Sequence, residues 1–110
     1  MDELITALNA TEFSFAHYGW SHAPAGDYGI YAEEGANDLI AGNTHVETVI
    51  RLTVDYFTRD ATQTPKTTIE AALNSICCAW YLNSVQFESE SGYIHYEWVV
   101  EVGEDRTEGN

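Results

Sequence analysis

Basic residues are scarce in this sequence. Its 110 residues include 18 Asp and Glu but only four Lys and Arg, which gives a formal net charge of -14 at pH 7. Duplex DNA and anionic membranes both bind basic surfaces, so this balance argues against either as a partner. Two interpretations of the charge stay open: a surface that keeps the protein soluble, and a surface that repels or mimics nucleic acid.

Cysteines and long apolar runs are also few. The two cysteines, Cys77 and Cys78, are adjacent, a spacing that suits neither a disulfide between them nor a zinc site, so we expect reduced core residues. The acidic start of the chain does not resemble a signal peptide, and no apolar run approaches the ~20 residues of a membrane span. We therefore expect a soluble protein that is made and used inside a cell and contacts no membrane.

Motifs for catalysis or metal binding are missing as well. The histidines have no His-x-x-x-His or His-Glu-x-x-His spacing, and the sequence contains no nucleophile elbow, phosphate loop or dinucleotide fingerprint. The four histidines are His17, His22, His45 and His95. We predict a protein that is not an enzyme and has no catalytic residues, metal or cofactor.

The patterns that are present predict a single α+β domain over residues 1–102, followed by a disordered acidic tail over 103–110. We expect an antiparallel sheet of about four to five strands with helices packed on one face, in the order α-β-β-β-α-β-β. The predicted elements are a helix over 2–10, strands over 12–20 and 28–34, a loop over 35–44, a strand over 46–59, a helix over about 65–79, and a hairpin around the turn 88–92.

The second helix and the final hairpin have the clearest periodicity. Apolar residues recur at helical spacing from Ile69 to Trp80, with Leu73 and Ile76 on the same face. Pro65 suits a first helical position after an N-cap at Thr64, and Thr67 with Glu70 offers an alternative capping box. In the hairpin, alternation predicts one apolar face, formed by Ile94, Tyr96, Trp98, Val100 and Val102.

The strand 46–59 has two distinct faces and is about twice the usual strand length. Its even positions, which include Ile50, Leu52, Val54 and Tyr56, predict a face under the helices. Its odd positions carry Arg51, Asp55 and Arg59, which either meet a neighbouring subunit at an assembly edge or form a solvated outer face. The preceding loop is rich in Gly and Asn, and such loops are often functional. Candidate interface residues are therefore Leu39, Ile40, Asn43, Arg51, Asp55 and Arg59.

Three segments together resemble a known family. They are "YGIYAEEGANDLIAGNTHVETVIRLTVDYFTRD", "TPKTTIEAALNS" and "GYIHYEWVVEV". In length, acidity and order of elements, nearly the whole chain is similar to the tail terminator, or tail completion, proteins of long-tailed bacteriophages. The resemblance rests on a diffuse pattern and on no invariant motif.

This resemblance implies a structural role in the virion, at the neck of the tail, after assembly in the host cytoplasm. Members form a homohexameric ring on the head-proximal end of the tail tube, which stops tube growth and joins the tail to the head. The implied partners are further copies of the chain, the major tail tube protein and the head-tail connector protein. DNA passes through the lumen without specific binding, and no cofactor is implied.

Other functions remain compatible with the sequence. A different head-tail connector or neck protein, or a tube subunit, would use the same assembly features. An acidic DNA mimic that inhibits a host protein fits the charge, although the carboxylates show no regular spacing. A small-ligand-binding domain could use the aromatic side chains Tyr93, Tyr96 and Trp98.

Overall fold

A computed structural model describes residues 2–22, 24–41, 45–76 and 78–107. The elements in chain order are α1 (Asp2–Ala10), β1 (Phe15–His17), β2 (Tyr28–Ala41), β3 (His45–Thr58), α2 (Thr64–Asn74), β4 (Cys78–Phe87) and β5 (Ile94–Thr107). The predicted α+β class and the order α-β-β-β-α-β-β are confirmed.

The five strands form one mixed sheet in the order β1-β2-β3-β5-β4. All the pairs are antiparallel except β1–β2, which is parallel, so the sheet is not antiparallel throughout. The parallel pair brings the Phe15 ring over Gly29, where a Cβ atom would clash with the ring. A glycine is therefore required at position 29 for this approach.

The core lies between the helices and one face of the sheet. Leu4 and Leu8 of α1 and Ile69 and Leu73 of α2 are fully buried. The strand residues that they cover are Leu52, Val54, Tyr56, Tyr96, Trp98, Val100 and Val102. The predicted helix-facing sides of β3 and β5 are thus confirmed, while Ile50 and Ile94 are only partly buried.

Helix α2 is shorter than predicted and begins differently. Its N-cap residue is Gln63, without a side-chain cap, so neither Thr64 nor the Thr67–Glu70 box caps it. Glu70 instead accepts a hydrogen bond from the Trp98 indole at 3.0 Å, which ties the helix to the sheet. The helix ends at Asn74, five residues early, because Trp80 belongs to β4 and pairs with Val100. Apolar residues at helical spacing also fit a strand when a partner strand is available.

Two segments predicted to be irregular are strands. Residues 35–41 continue β2 and pair with β3, after a bulge between Glu33 and Gly35, so the predicted loop is wrong over that range. Residues 103–107 continue β5 and pair with β3, which corrects the start of the predicted tail; residues 108–110 lie outside the described residues. In both cases a long partner strand supplies hydrogen bonds that outweigh the weak strand propensity of Gly, Asn and Asp.

The first strand, by contrast, is far shorter than the predicted 12–20. Tyr18 and Gly19 have positive φ angles of 66° and 141°, which end β1 at His17. Before the strand, the Thr11 hydroxyl donates to the Leu8 carbonyl at 2.6 Å and closes the end of α1.

Candidate assembly surface

The sheet face opposite the helices, called the outer face here, carries a row of stacked rings at one end. Phe57 lies between Tyr28 and His95, with ring centroids 4.7 and 4.2 Å away, and Tyr93 meets Phe57 edge-on. These rings lie on adjacent strands, so their contacts are cross-strand pairs that stabilise the sheet. Of the side chains named for the small-ligand alternative, Tyr93 contacts these rings, whereas Tyr96 and Trp98 are buried in the core.

The next row of the outer face is polar. Asp55 Oδ1 lies 2.7 Å from His95 Nε2, and both side chains are largely covered. This hydrogen bond raises the pKa of His95 above its ordinary value of 6.5, although burial opposes the shift. Glu97, directly opposite Asp55, accepts a hydrogen bond from the Asn83 amide at 2.8 Å. Asp55 thus has a partner within its own sheet.

Arg59, at the end of β3, is likewise bonded within the chain. Its Nε donates to the Ser91 carbonyl at 2.9 Å, and Nη1 donates to the Ala25 carbonyl at 3.3 Å. The guanidinium also lies over the Tyr93 ring, 4.1 Å from its centroid. Arg59 therefore joins Ala25, which precedes β2, to the β4–β5 turn, a structural role that the sequence analysis did not predict.

Arg51, the other predicted cation, is exposed to solvent near the middle of β3. It lies opposite Glu101 of β5 and Gly35 of β2. Leu39 and Ile40 lie on β2, in register with Glu47 and Val46 of β3. Asn43 lies outside the described residues. Of the described candidates, Leu39 and Ile40 thus lie on β2, Arg51 and Asp55 lie on β3, and Arg59 follows β3.

The position of β3 changes the interpretation of the long strand. It lies between β2 and β5 and pairs with both along most of its length. A strand with partners on both sides has no free backbone groups to extend a sheet, so β3 is not an assembly edge.

One open edge of the sheet is β4, which the sequence analysis did not select. Within the described residues, β4 pairs with β5 and with no other strand. Three of its side chains are large, apolar and exposed: Tyr81 (49%), Val85 (51%) and Phe87 (68%). The residues from 71 to 87 include no Asp, Glu, Lys, Arg or His, the longest such run in the chain. This uncharged run is the feature of the sequence that could have pointed to β4, and it ends at Glu88, where the turn begins.

A second open edge lies on β2. The short β1 pairs with residues 29–31, and the Tyr18 amide donates to the Tyr31 carbonyl at 2.8 Å. From residue 32 to Ala41, no described strand pairs with this side of β2. The two open edges therefore lie on opposite sides of one sheet.

A small cluster marks the start of this β2 edge. The His17 ring stacks between Tyr18 and Tyr31, at 4.1 and 4.8 Å, and His17 Nε2 hydrogen-bonds Glu33. This bond lowers the pKa of the Glu33 carboxyl. Tyr18 adopts a positive φ and is 65% exposed, so strained backbone holds an aromatic ring in solvent.

Asp27 anchors the segment that precedes β2. Its Oδ2 accepts hydrogen bonds from the Tyr56 hydroxyl at 2.9 Å and from the Thr58 hydroxyl at 2.7 Å. Burial, together with this carboxylate, raises the pKa of Tyr56 well above its ordinary value. The Tyr93 hydroxyl adds a bond to the Gly26 carbonyl at 2.8 Å. These bonds fix the 25–27 backbone across the end of the sheet.

The concavities of the surface are open and shallow. One of about 410 Å³ lies between α1 and the end of α2, lined by Glu3, Thr6, Ala7, Ala10, Ser75 and Ile76. Another of about 520 Å³ lies at the β4–β5 turn, beside Phe87, Glu88 and Glu90. Among the described residues, no group of three His, Cys, Asp or Glu side chains could hold a metal ion. Over the same residues, no helix is both long and apolar enough to cross a bilayer.

Comparison with solved structures finds chains of similar fold. The fold is similar to a chain in the structure "Virion of native gene transfer agent (GTA) particle", with a TM-score of 0.48 and 12% sequence identity. The match covers 94% of this chain and 84% of that one. No protein-family model matches the sequence, and no curated protein matches it.

Proposed function

We propose that this protein is a structural virion protein, a tail terminator that forms a ring on the head-proximal end of a phage tail tube. The observation that carries the proposal is the β4 edge, an uncharged strand with exposed Tyr81, Val85 and Phe87 in a chain of net charge -14. Natural proteins protect open sheet edges with charge or proline, and β4 has neither. A strand of this kind is expected to be covered by another chain.

The shape and charge of the molecule fit the same role. The molecule is elongated, with principal extents of 53 × 26 × 23 Å. This shape follows from the sheet, since β2, β3 and β5 each run for 14 residues. Elongated protomers that meet side by side form the wall of a ring. An acidic lumen repels the phosphate backbone, which lets DNA pass without binding.

The proposed partners follow from this position. Further copies of the chain, in a ring of six, contact one another through their sheets. The major tail tube protein lies below the ring and the head-tail connector protein above it. The protein is located in the virion, at the tail neck, as a single domain that carries out no catalysis and needs no cofactor.

A nonsense mutation in this gene, in the phage that encodes it, tests the function. Without a terminator, tube growth has no stop, so we expect filled heads and unjoined tails of irregular, excessive length in electron micrographs. Adding purified wild-type protein during tail assembly should restore tails of uniform length and head-joined particles.

Other outcomes separate the alternatives. Tails of normal length that fail to join heads would indicate a connector or another neck protein, and an absence of any tail would indicate a tube subunit. Normal, infectious particles would exclude every structural role and leave the DNA mimic.

A further inference from the structure

We propose that β4 of one copy pairs with the open edge of β2, residues 32–41, on the next copy, so that the sheets of neighbouring subunits join head to tail. This proposal rests on the proposed function, because it names the contact through which the ring would form.

The strand directions permit this pairing. Strands β3 and β4 run the same way, since each is antiparallel to β5, and β2 runs opposite to both. When a second sheet is placed beside the first in the same orientation and shifted along the strands until β4 meets residues 32–41, its β2 lies antiparallel to this β4. The joined sheet then continues with the antiparallel pairing of its centre.

The edges also match in length and in charge. The ten residues of β4 face a stretch of β2 that is about as long, once the part paired with β1 is set aside. That stretch includes Glu33, Glu34 and Asp38, whereas β4 has no charged residue. A β2–β2 contact would set these acids against one another, and a β4 partner avoids that repulsion.

A two-fold contact between two β4 strands is the alternative for a second copy. It would close as a dimer and leave both β2 edges open. Head-to-tail pairing covers β4 and the open part of β2 on every subunit of a closed ring, which leaves only the short β1 as an exposed edge. The bulges at Asn83 of β4 and at Glu34 of β2 interrupt each edge once and leave regular strand on both sides.

Hydrogen-deuterium exchange of the full chain, at dilute and at high concentration, tests the pairing. Every second amide of an edge strand points away from its partner and exchanges freely until another strand covers it. Where nine-tenths of the chains are assembled, outward amides in both 78–87 and 32–41 should exchange about tenfold more slowly than in the monomer.

Protection of β4 alone would indicate the two-fold dimer and overturn the proposal. Protection of neither edge, or a chain that stays monomeric up to about 1 mM, would overturn it as well.

A pair of glutamate substitutions adds a second test. Val85→Glu places a negative charge at the proposed contact, against the acidic β2 edge, and should raise the concentration for half-assembly about tenfold or more. Ala71→Glu is the matched control, because Ala71 is exposed on α2 and the change in net charge is the same. Equal effects of the two variants would overturn the edge contact.

Failure of this contact and failure of the function give different results. Overlong tails in the nonsense mutant together with unprotected edges would retain the terminator and reject the pairing. Protected edges together with normal infectious particles would retain the pairing and reject the terminator.

Discussion

At the residue scale, the Arg59 guanidinium holds three parts of the chain together. It contacts the Ala25 carbonyl, the Ser91 carbonyl and the Tyr93 ring. Arg51 has the same charge, but it lies near the middle of β3 with its side chain exposed to solvent. Arg59 therefore has a structural role, whereas Arg51 is a surface residue.

Replacement of each arginine by alanine measures this difference. Arg59→Ala should lower the free energy of unfolding by about 1 kcal/mol, because two carbonyls and one ring lose their partner. Arg51→Ala should change it by less than about 0.5 kcal/mol, as is usual for exposed positions. Urea unfolding of both variants compares them at equal net charge. Equal losses would mean that the Arg59 contacts do not contribute to stability.

His95 makes stability depend on pH. Its pKa is raised mainly by the hydrogen bond to Asp55, and to a smaller extent by the nearby carboxylates of Glu88 and Glu97. A group whose folded pKa exceeds its unfolded pKa stabilises the fold below the unfolded pKa, and this contribution is lost as pH rises through the folded pKa. The free energy of unfolding should therefore fall as pH rises from about 6 to 8.

Unfolding measured across this range, on wild type and on His95→Gln, checks the expectation. The variant should lack this component of the fall, whereas His22→Gln, at an exposed position, should behave like wild type. An NMR titration that gives His95 a pKa below 6.5 would contradict the assignment.

At the element scale, α2 is held by few but fully buried side chains. Ile69 and Leu73 are completely inaccessible to solvent, and Pro65 at the start of the helix is buried too. The charged residues Lys66 and Glu70 bond each other at 3.1 Å, and Glu70 also accepts from Trp98. The helix is thus fixed to the sheet by both apolar packing and one polar tie.

Leu73→Ala tests the packing of this helix. Removing a fully buried leucine side chain should cost about 2–5 kcal/mol, depending on how far the core closes around the cavity. Val85→Ala is the control, because that side chain is half exposed on β4 and should lose less than about 0.5 kcal/mol in the monomer. Chemical denaturation at low protein concentration gives both values. A loss at Leu73 no larger than that at Val85 would mean that the helix is not packed as described.

At the scale of the whole molecule, charge opposes contact with nucleic acid. The 14 excess negative charges are spread over a small, elongated domain. Binding to duplex DNA needs cations that release condensed counterions, and two of the four basic residues, Arg59 and Lys66, already have partners in the chain.

We therefore expect no binding to a labelled duplex at physiological salt in a fluorescence anisotropy titration up to tens of micromolar protein, roughly the limit of non-specific binding. A basic DNA-binding protein of similar size serves as the positive control. Micromolar affinity that falls steeply with added salt would contradict both the charge argument and the passive lumen.

Local pattern determined the class of this fold, the order of its elements and the faces of its long strands. Period-two alternation in β3 and β5 and the helical spacing of Ile69 and Leu73 indicate the buried face directly, because each side chain's direction follows from backbone geometry. The acidic balance follows from composition alone. These features need no knowledge of which strand lies beside which.

The tertiary structure decided the order of the strands in the sheet. This order in turn determines where the candidate surface lies. Sequence patterns show that 46–59 is a strand but not that it is central. They leave its odd-numbered charges to meet either a neighbouring subunit or solvent, whereas Asp55 is hydrogen-bonded to His95 within the sheet. The same limit hid β4, whose exposed Val85 and Phe87 look like ordinary core positions until the sheet ends beside them. A strand is an edge strand when no further strand pairs with its outer side. Long-range strand pairing, and not local propensity, determines which strand that is.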